Sequence, residues 1–173
     1  MSLRNFRPLS MAYKPLSEKK SQLEKQNLLC KACEDGDFEK VKQSIQSGAK
    51  INTKNSAGMY PLHLACKYVD KNRASYDLIE YLIKNKANVN SKSRTLYSTR
   101  NYPLMTTTDV KLATMLLNAG ANVNQKDSIN GPALWHLLNE IRQVDANLTE
   151  ANKTEYLGFV QLLLQRGASN RRL

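Results

Sequence analysis

Several patterns that mark enzymes and membrane proteins are missing from this chain of 173 residues. No apolar run approaches the roughly 18 residues that a membrane helix requires. No hydrophobic stretch follows the basic residues at the N-terminus, so the sequence shows no secretory signal. Glycine-rich phosphate loops and nucleophile motifs are also absent. These absences argue against a transmembrane protein and against an enzyme, and they predict that no cofactor is bound.

Cysteine and histidine are scarce, with three and two copies. Cys30 and Cys33 form a C-x-x-C pair, the spacing of half a zinc site or of a redox pair. A zinc site needs four ligands, and only Cys66, His63 and His136 remain to complete it. We therefore predict that the cysteines are small packing residues and that no metal binds. So few cysteines indicate a reducing compartment, and we expect a cytoplasmic protein.

Acidic residues are also in deficit, with 15 Asp and Glu against 26 Lys and Arg, for a net charge of +11. Such a field favours acidic partners, nucleic acid or anionic membrane. The basic residues are spread over both halves of the chain, which is typical of a solvated surface. We expect a protein partner rather than nucleic acid. Polyanion binding through a basic arm (residues 1–20) and the segment 91–102 is the alternative function.

The chain does contain a short recurring motif, Gly-Ala-x-x-Asn with small variations, and each copy follows an amphipathic segment. Its copies are Gly48–Asn52, Lys86–Asn90, Gly120–Asn124 and Gly167–Asn170. Self-similarity at a period of a few tens of residues indicates stacked supersecondary units. Recognition by a surface is therefore a better hypothesis than catalysis.

Two further observations set the register of these units. The pair Ala32-Cys33 returns as Ala65-Cys66, 33 residues later. The segment Tyr60–Ala65 matches the signature T-P-L-H-x-A of the 33-residue repeat class. The chain thus resembles the ankyrin repeat family from about Gln22 to Arg172.

The resemblance implies an all-α solenoid of about four helix-turn-helix repeats with short β-hairpin fingers. Each repeat would bury its apolar face against its neighbours. We place a flexible basic arm at 1–20 and the ankyrin repeat domain at 21–173. The repeats are expected at about 21–54, 55–92, 93–126 and 127–173, and we expect a monomer.

The first helix is predicted to start at Ser21–Glu24, which is a capping-box pattern. The third repeat departs most from the family, because its finger (91–102) is longer and its first helix, Pro103–Thr108, contains three adjacent threonines. Asp109 is predicted to cap the next helix, with Gly120 at that helix's C′ position.

Two other insertions are predicted between paired helices. One is the segment 68–76. The other is the polar segment 145–154, which should loop out before a helix from Tyr156 to Gln165. The last helix is more apolar than a solvent-facing cap, so either the loop covers it or the natural protein continues.

The resemblance also implies a non-catalytic protein–protein interaction module that acts as an adaptor. Irregular repeats resemble the ankyrin proteins of intracellular bacteria and viruses, which implies an effector delivered to act on host proteins; a targeting fragment of a larger protein is a further alternative. Ankyrin partners lie on the fingertips and on the exposed residues of the first helices. The candidate protein-binding residues are Met59, Lys67, Tyr68, Arg94, Leu96, Tyr97, Arg100, Tyr102, Ile129, Trp135 and Asn139.

The finger residues and Trp135 each have an alternative role, and the two histidines have predicted roles of their own. The finger 91–102 combines arginine, tyrosine and leucine, which include residue types enriched at interface hot spots; a tolerated surface insertion is its alternative. Trp135 can anchor a partner or fill space in the fourth repeat. The resemblance implies that His63 hydrogen-bonds to a neighbouring hairpin, and His136 is predicted to pack or lie on the surface rather than bind a ligand.

Overall fold

The computed structural model describes residues 16–69, 75–93, 102–127, 129, 131–144 and 149–169. These ranges contain seven α-helices and one 3-10 turn, Pro103–Met105. The helices are α1 (Leu16–Asp35), α2 (Phe38–Gln46), α3 (Pro61–Val69), α4 (Tyr76–Lys84), α5 (Val110–Asn118), α6 (Ala133–Val144) and α7 (Glu150–Gln165). No strand occurs in the described ranges, so the β-hairpin fingers expected from the sequence are not shown.

The second helices of the first three repeats begin at polar capping residues. Asp37, Ser75 and Asp109 each accept a hydrogen bond from the backbone N–H three residues later, which satisfies a donor that has no partner inside the helix. The prediction for Asp109 is confirmed. Its second carboxylate oxygen accepts a hydrogen bond from the hydroxyl of Tyr76, and this contact ties the start of α5 to α4.

The second helices of all four repeats end in the same way. The residue after each C-cap has a positive φ, at 94° for Gly48, 66° for Lys86, 89° for Gly120 and 81° for Gly167. The N–H of that residue bonds to the carbonyl three positions back, and the next N–H to the carbonyl five positions back. These bonds define the Schellman motif. Glycine adopts this conformation without a clash from Cβ, whereas Lys86 does not have that advantage.

Three asparagines, Asn52, Asn90 and Asn124, join each repeat to the next; we call them the ladder asparagines. Each side-chain Nδ2 donates to the carbonyl of the positive-φ residue one repeat later, at 2.8–2.9 Å. Each Oδ1 accepts from the N–H two residues beyond that carbonyl, at 2.8 Å. The recurring motif therefore both terminates the second helix and hydrogen-bonds to the next repeat.

Helix α1 provides the same contacts at the N-terminal end of the ladder. Gln22 Nε2 donates to the carbonyl of Gly48 at 3.2 Å, and Gln26 Oε1 accepts from the N–H of Lys50 at 3.1 Å. These are the two groups that a ladder asparagine one repeat earlier would bind. Gln26, which is 1% exposed, also donates to the carbonyl of Thr53 at 2.7 Å.

Two predicted boundaries need correction. Helix α1 begins at Leu16, so residues 16–20 are helical rather than part of a flexible arm, and Ser21 lies inside the helix rather than at its cap. Leu, Glu and Lys in this stretch are good helix formers. Helix α7 begins at Glu150, so residues 150–154 of the predicted loop are helical as well. The rest of the arm and residues 145–148 lie outside the described residues.

One continuous hydrophobic core runs through the stack. The first helices contact one another in the order α1, α3, the 3-10 turn and α6, and α5 contacts α7. Leu29, Leu62, Leu104 and Leu134 hold equivalent positions in this row, and each is at most 3% exposed. This arrangement is the stacked solenoid that the sequence period predicts.

Candidate protein-binding surface

The segments before the first helices of the second and fourth repeats, 53–60 and 125–132, are called the second and fourth fingers. Each contains an acceptor side chain at the same position. Asn55 Oδ1 accepts hydrogen bonds from the N–H groups two and four residues later, at 3.0 and 2.9 Å. Asp127 Oδ1 makes the same pair of bonds, both at 2.9 Å. In the third finger Ser93 holds this position, and its hydroxyl accepts from the N–H of Tyr60 at 3.3 Å. The backbone of the second finger is thus fixed by hydrogen bonds to one side chain.

A buried contact between a histidine and an aspartate supports the fourth finger. His136 Nε2 lies 2.7 Å from Asp127 Oδ2, and the two side chains are 8% and 0% exposed. The ring of Trp135 contacts the ring of His136 edge-on, with centroids 4.9 Å apart. A Cβ at Gly131 would lie 2.5 Å from Trp135, so glycine is needed for this contact. His136 packs, as predicted, and Trp135 rests on the finger while remaining partly exposed.

Two of the predicted site residues are buried. Met59 and Tyr102 are 7% and 9% exposed and belong to the hydrophobic core. The hydroxyl of Tyr102 accepts a hydrogen bond from Gln125 at 3.1 Å, which links it to the following finger. We therefore leave both residues out of the binding surface, because most of each side chain is inaccessible to a partner.

The remaining described candidates lie on the first helices α3 and α6 and on the fourth finger. Lys67 and Ile129 are exposed, and Tyr68, Trp135 and Asn139 are half-exposed. We call these five residues the recognition surface. The candidates Arg94, Leu96, Tyr97 and Arg100 lie outside the described residues and stay predictions.

A set of lysines at equivalent positions was not among the candidates. Lys54, Lys92 and Lys126 each follow a ladder asparagine by two residues, and we call them the lysine column. The Nζ of Lys54 lies 5.1 Å from the ring centroid of Tyr60, and that of Lys92 lies 5.9 Å from that of Tyr102. Counting forward from the recurring asparagines would have found all three lysines.

The C-x-x-C pair is part of the core. Burial raises the pKa of the Cys30 thiol to about 12 and that of Cys33 well above its usual value. Both thiols are therefore protonated at neutral pH, and Cys30 Sγ donates to the carbonyl of Met59 at 3.7 Å. The packing role predicted for these residues is confirmed by their burial. Among the described residues there is no cluster of three potential metal ligands.

His63 is also buried, at 2% exposure. Burial, with a smaller contribution from the nearby Lys67 ammonium, lowers its pKa to about 4. Its Nδ1 atom has no hydrogen-bond partner among the residues that the structure describes. The imidazole is thus neutral near pH 7, and a hydrogen bond from Nδ1 to a neighbouring hairpin is not seen in these ranges.

A family model described as ankyrin repeats, in three copies, matches residues 29–127, which is more than half of the chain. The chain belongs to the ankyrin repeat family. Ankyrin repeats are generally protein–protein interaction modules and are typically non-catalytic. A fourth ankyrin repeat beyond the match is supported by α6, α7 and the bonds from Asn124 to Gly167 and Ser169.

A small cleft between the third and fourth repeats is lined by residues that include Thr107, His136 and Phe159. None of the described helices combines the length and the apolar content needed to cross a membrane.

Proposed function

We propose that this ankyrin protein is an adaptor that binds a protein partner on its recognition surface. The observation that carries the proposal is that the side chains of this surface are exposed or half-exposed, while the ladder asparagines join the repeats that bear them to one another. These side chains are Lys67, Tyr68, Ile129, Trp135 and Asn139. A surface that is already ordered loses little conformational entropy on binding. The energetic cost of association is correspondingly smaller.

The residue types on this surface suit the role. Tyrosine and tryptophan are enriched among residues that dominate binding energy. Trp135 is held by Gly131 and His136, and the Nζ of Lys67 lies 5.5 Å from the ring centroid of Tyr68. Both aromatic side chains can therefore meet a partner in a limited set of orientations.

Affinity capture followed by mass spectrometry tests the proposal. The surface variant Tyr68→Ala/Asn139→Ala should lose about tenfold or more of its affinity for the captured partner. The control variant Gln43→Ala/Lys111→Ala changes two exposed residues on the second helices, α2 and α5, and should bind normally. Equal affinities of the two variants for that partner, with unchanged melting temperatures, would exclude this surface.

We also propose that the long finger 91–102 adds contacts through Arg94, Leu96, Tyr97 and Arg100. The motivation is its composition, which is rich in hot-spot residue types. Shortening the finger to the length of the second finger, or introducing Tyr97→Ala and Arg100→Ala, should weaken capture of the same partner. If capture is unchanged by both alterations, the finger is only a tolerated insertion.

Polyanion binding is the second candidate, and the net charge of +11 favours it. It requires binding to DNA, RNA or anionic vesicles that is independent of sequence and falls steeply as salt is added. Titration of a labelled oligonucleotide at low and at physiological ionic strength separates this function from protein recognition. Binding that disappears at physiological salt counts against it.

A further inference from the structure

Three lysines close to the fingertips and first helices have no acidic partner within the part of the chain that the structure describes. Lys54, Lys67 and Lys92 take part in none of its ion pairs. By contrast, Lys42 and Lys84 pair with glutamates three or four residues away on their own helices. Within the described residues, no ion pair offsets the charge of these three lysines.

The lysine column follows the repeat. The ladder asparagines two residues before Lys54, Lys92 and Lys126 make identical bonds to the following repeat. Equivalent positions in neighbouring repeats are separated by about the packing distance of two helices, roughly 8–10 Å. Because Lys54 and Lys92 lie against equivalent tyrosines, Tyr60 and Tyr102, we infer that their ammonium groups recur at about that interval.

Aromatic rings restrict the two best-defined members of the column. The Nζ atoms of Lys54 and Lys92 lie within 6 Å of the centroids of Tyr60 and Tyr102, the range in which a ring face attracts a cation. A ring on one side limits the conformations of each lysine and leaves the ammonium able to meet a carboxylate. Less entropy is lost when such a side chain forms an ion pair.

Acidic side chains lie on the first helices of the outer two repeats. They include Glu34 on α1, which also pairs with Lys31, and Glu140 on α6. Lys67 lies between them on α3. A short acidic ligand matches this distribution, whereas a long polyanion running along the stack would pass the outer carboxylates.

We propose that the lysine column, through Lys54 and Lys92, binds an acidic segment of the partner protein in a polyproline II conformation, with Asp or Glu at every third residue. A polyproline II helix has three residues per turn and rises about 3.1 Å per residue, so every third carboxylate lies on the same face and recurs near the interval of the repeats. The column supplies the charge, and Tyr68 on the adjacent first helix can contact the apolar atoms between the carboxylates. This proposal rests on the proposed protein-binding function and names the chemistry of the bound segment.

Fluorescence anisotropy with labelled synthetic peptides tests this spacing. One peptide carries glutamate at every third position, and a second has the same composition with its glutamates adjacent. The spaced peptide should bind the full chain several-fold more tightly, with an affinity that falls as salt screens the charges. Equal binding of the two peptides would overturn the match between carboxylate spacing and the repeat.

Matched variants show whether the lysine column itself is responsible. Lys54→Gln/Lys92→Gln should weaken binding of the spaced peptide by about fivefold to tenfold, as expected for two exposed ion pairs. Lys42→Gln/Lys111→Gln removes the same charge and two similar contacts, with Phe38 and Tyr76, on the second helices. Binding by this control should stay within about twofold of wild type; an equal loss would mean that only net charge matters.

Three further outcomes would overturn the proposal, and they can be distinguished from one another. If a single-stranded oligonucleotide of equal charge binds more tightly than the spaced peptide, the lysine column is a polyanion site. If Lys54→Gln/Lys92→Gln leaves the captured partner bound while Tyr68→Ala/Asn139→Ala releases it, the acidic segment is wrong but the protein-binding function stands. Loss of neither interaction in either variant would contradict both proposals.

Discussion

Lys86 stands where the other three repeats have glycine, with a φ of 66°. A residue with a Cβ in the left-handed region is disfavoured by about 1–2 kcal/mol. The Schellman bonds and the bond from Asn52 to the Lys86 carbonyl hold it there. Because both interactions use only its backbone, the lysine side chain contributes nothing to the turn.

Replacing this lysine is expected to stabilise the protein. Lys86→Gly should raise the free energy of unfolding by about 0.5–1 kcal/mol, since the relief of strain is partly offset by the greater entropy of an unfolded glycine. Urea titration followed by circular dichroism measures the change. The matched control is Gly120→Ala, where a Cβ meets no atom within 4 Å, so its expected loss of about 1 kcal/mol reports backbone strain alone.

The lowered pKa of His63 predicts that the folded protein loses stability in acid. This pKa falls from 6.5 to about 4 in the folded state, so the unfolded chain binds more protons between those values. Above about pH 6.5 the neutral imidazole does not oppose folding. As the pH falls from there towards 4, the free energy of unfolding decreases by up to about 3 kcal/mol. Urea unfolding of wild type and His63→Asn across this range should show a shallower pH dependence for the variant. A parallel dependence in both proteins would refute this assignment.

At the scale of elements, α1 combines the roles of a repeat helix and an end cap. The two glutamines one turn apart, Gln22 and Gln26, divide the bonds that one asparagine makes elsewhere in the ladder. A glutamine projecting from a helix can reach these groups because its side chain is longer by one methylene. The stack is therefore closed at this end by hydrogen bonds as well as by apolar contact.

Gln26 should contribute more than Gln22 to the free energy of unfolding. Gln26→Ala leaves the N–H of Lys50 and the carbonyl of Thr53 without their partner in a part-buried site, and it should lower the free energy of unfolding by about 2 kcal/mol. Gln22→Ala removes one longer bond at the surface and should cost about 0.5 kcal/mol. Chemical denaturation of both variants measures the difference. Equal effects would indicate that α1 caps the stack through apolar packing alone.

The helices themselves were largely predictable, because their signals are local. The cap at Asp109 and the helix end at Gly120 depend on residues within one turn, and both predictions are confirmed. The start of α1 was mispredicted, because the pattern at Ser21 is satisfied equally well inside a longer helix. The contacts of α1 with Gly48 and Lys50, more than 20 residues away, have no local signature.

At the scale of the whole molecule, the stack is stabilised by contacts between neighbouring repeats. In such solenoids the stability is close to a sum of repeat energies and interface energies. The single tryptophan, Trp135, lies in the fourth repeat and reports on that repeat alone. Weakening the link from Asn124 to Gly167 and Ser169 should therefore uncouple the end of the stack.

Asn124→Ala is expected to split the unfolding transition. The fluorescence of Trp135 should change at a lower urea concentration than the circular dichroism signal, because the fourth repeat loses two interface hydrogen bonds worth about 1–2 kcal/mol. Asn52→Ala removes the equivalent bonds between the first two repeats and should leave the tryptophan transition last or coincident. Coincident transitions in both variants would show that the stack unfolds as one cooperative unit.

The sequence by itself determined the repeat class, the order of the repeats and the motif that ends each second helix. These features follow from the 33-residue period and from residues a few positions apart. Only the tertiary structure decided which side chains a partner can reach. It buried Met59 and Tyr102, because burial depends on residues far away in the sequence, such as Gln125 beside Tyr102, and it placed Lys54 and Lys92 beside Tyr60 and Tyr102.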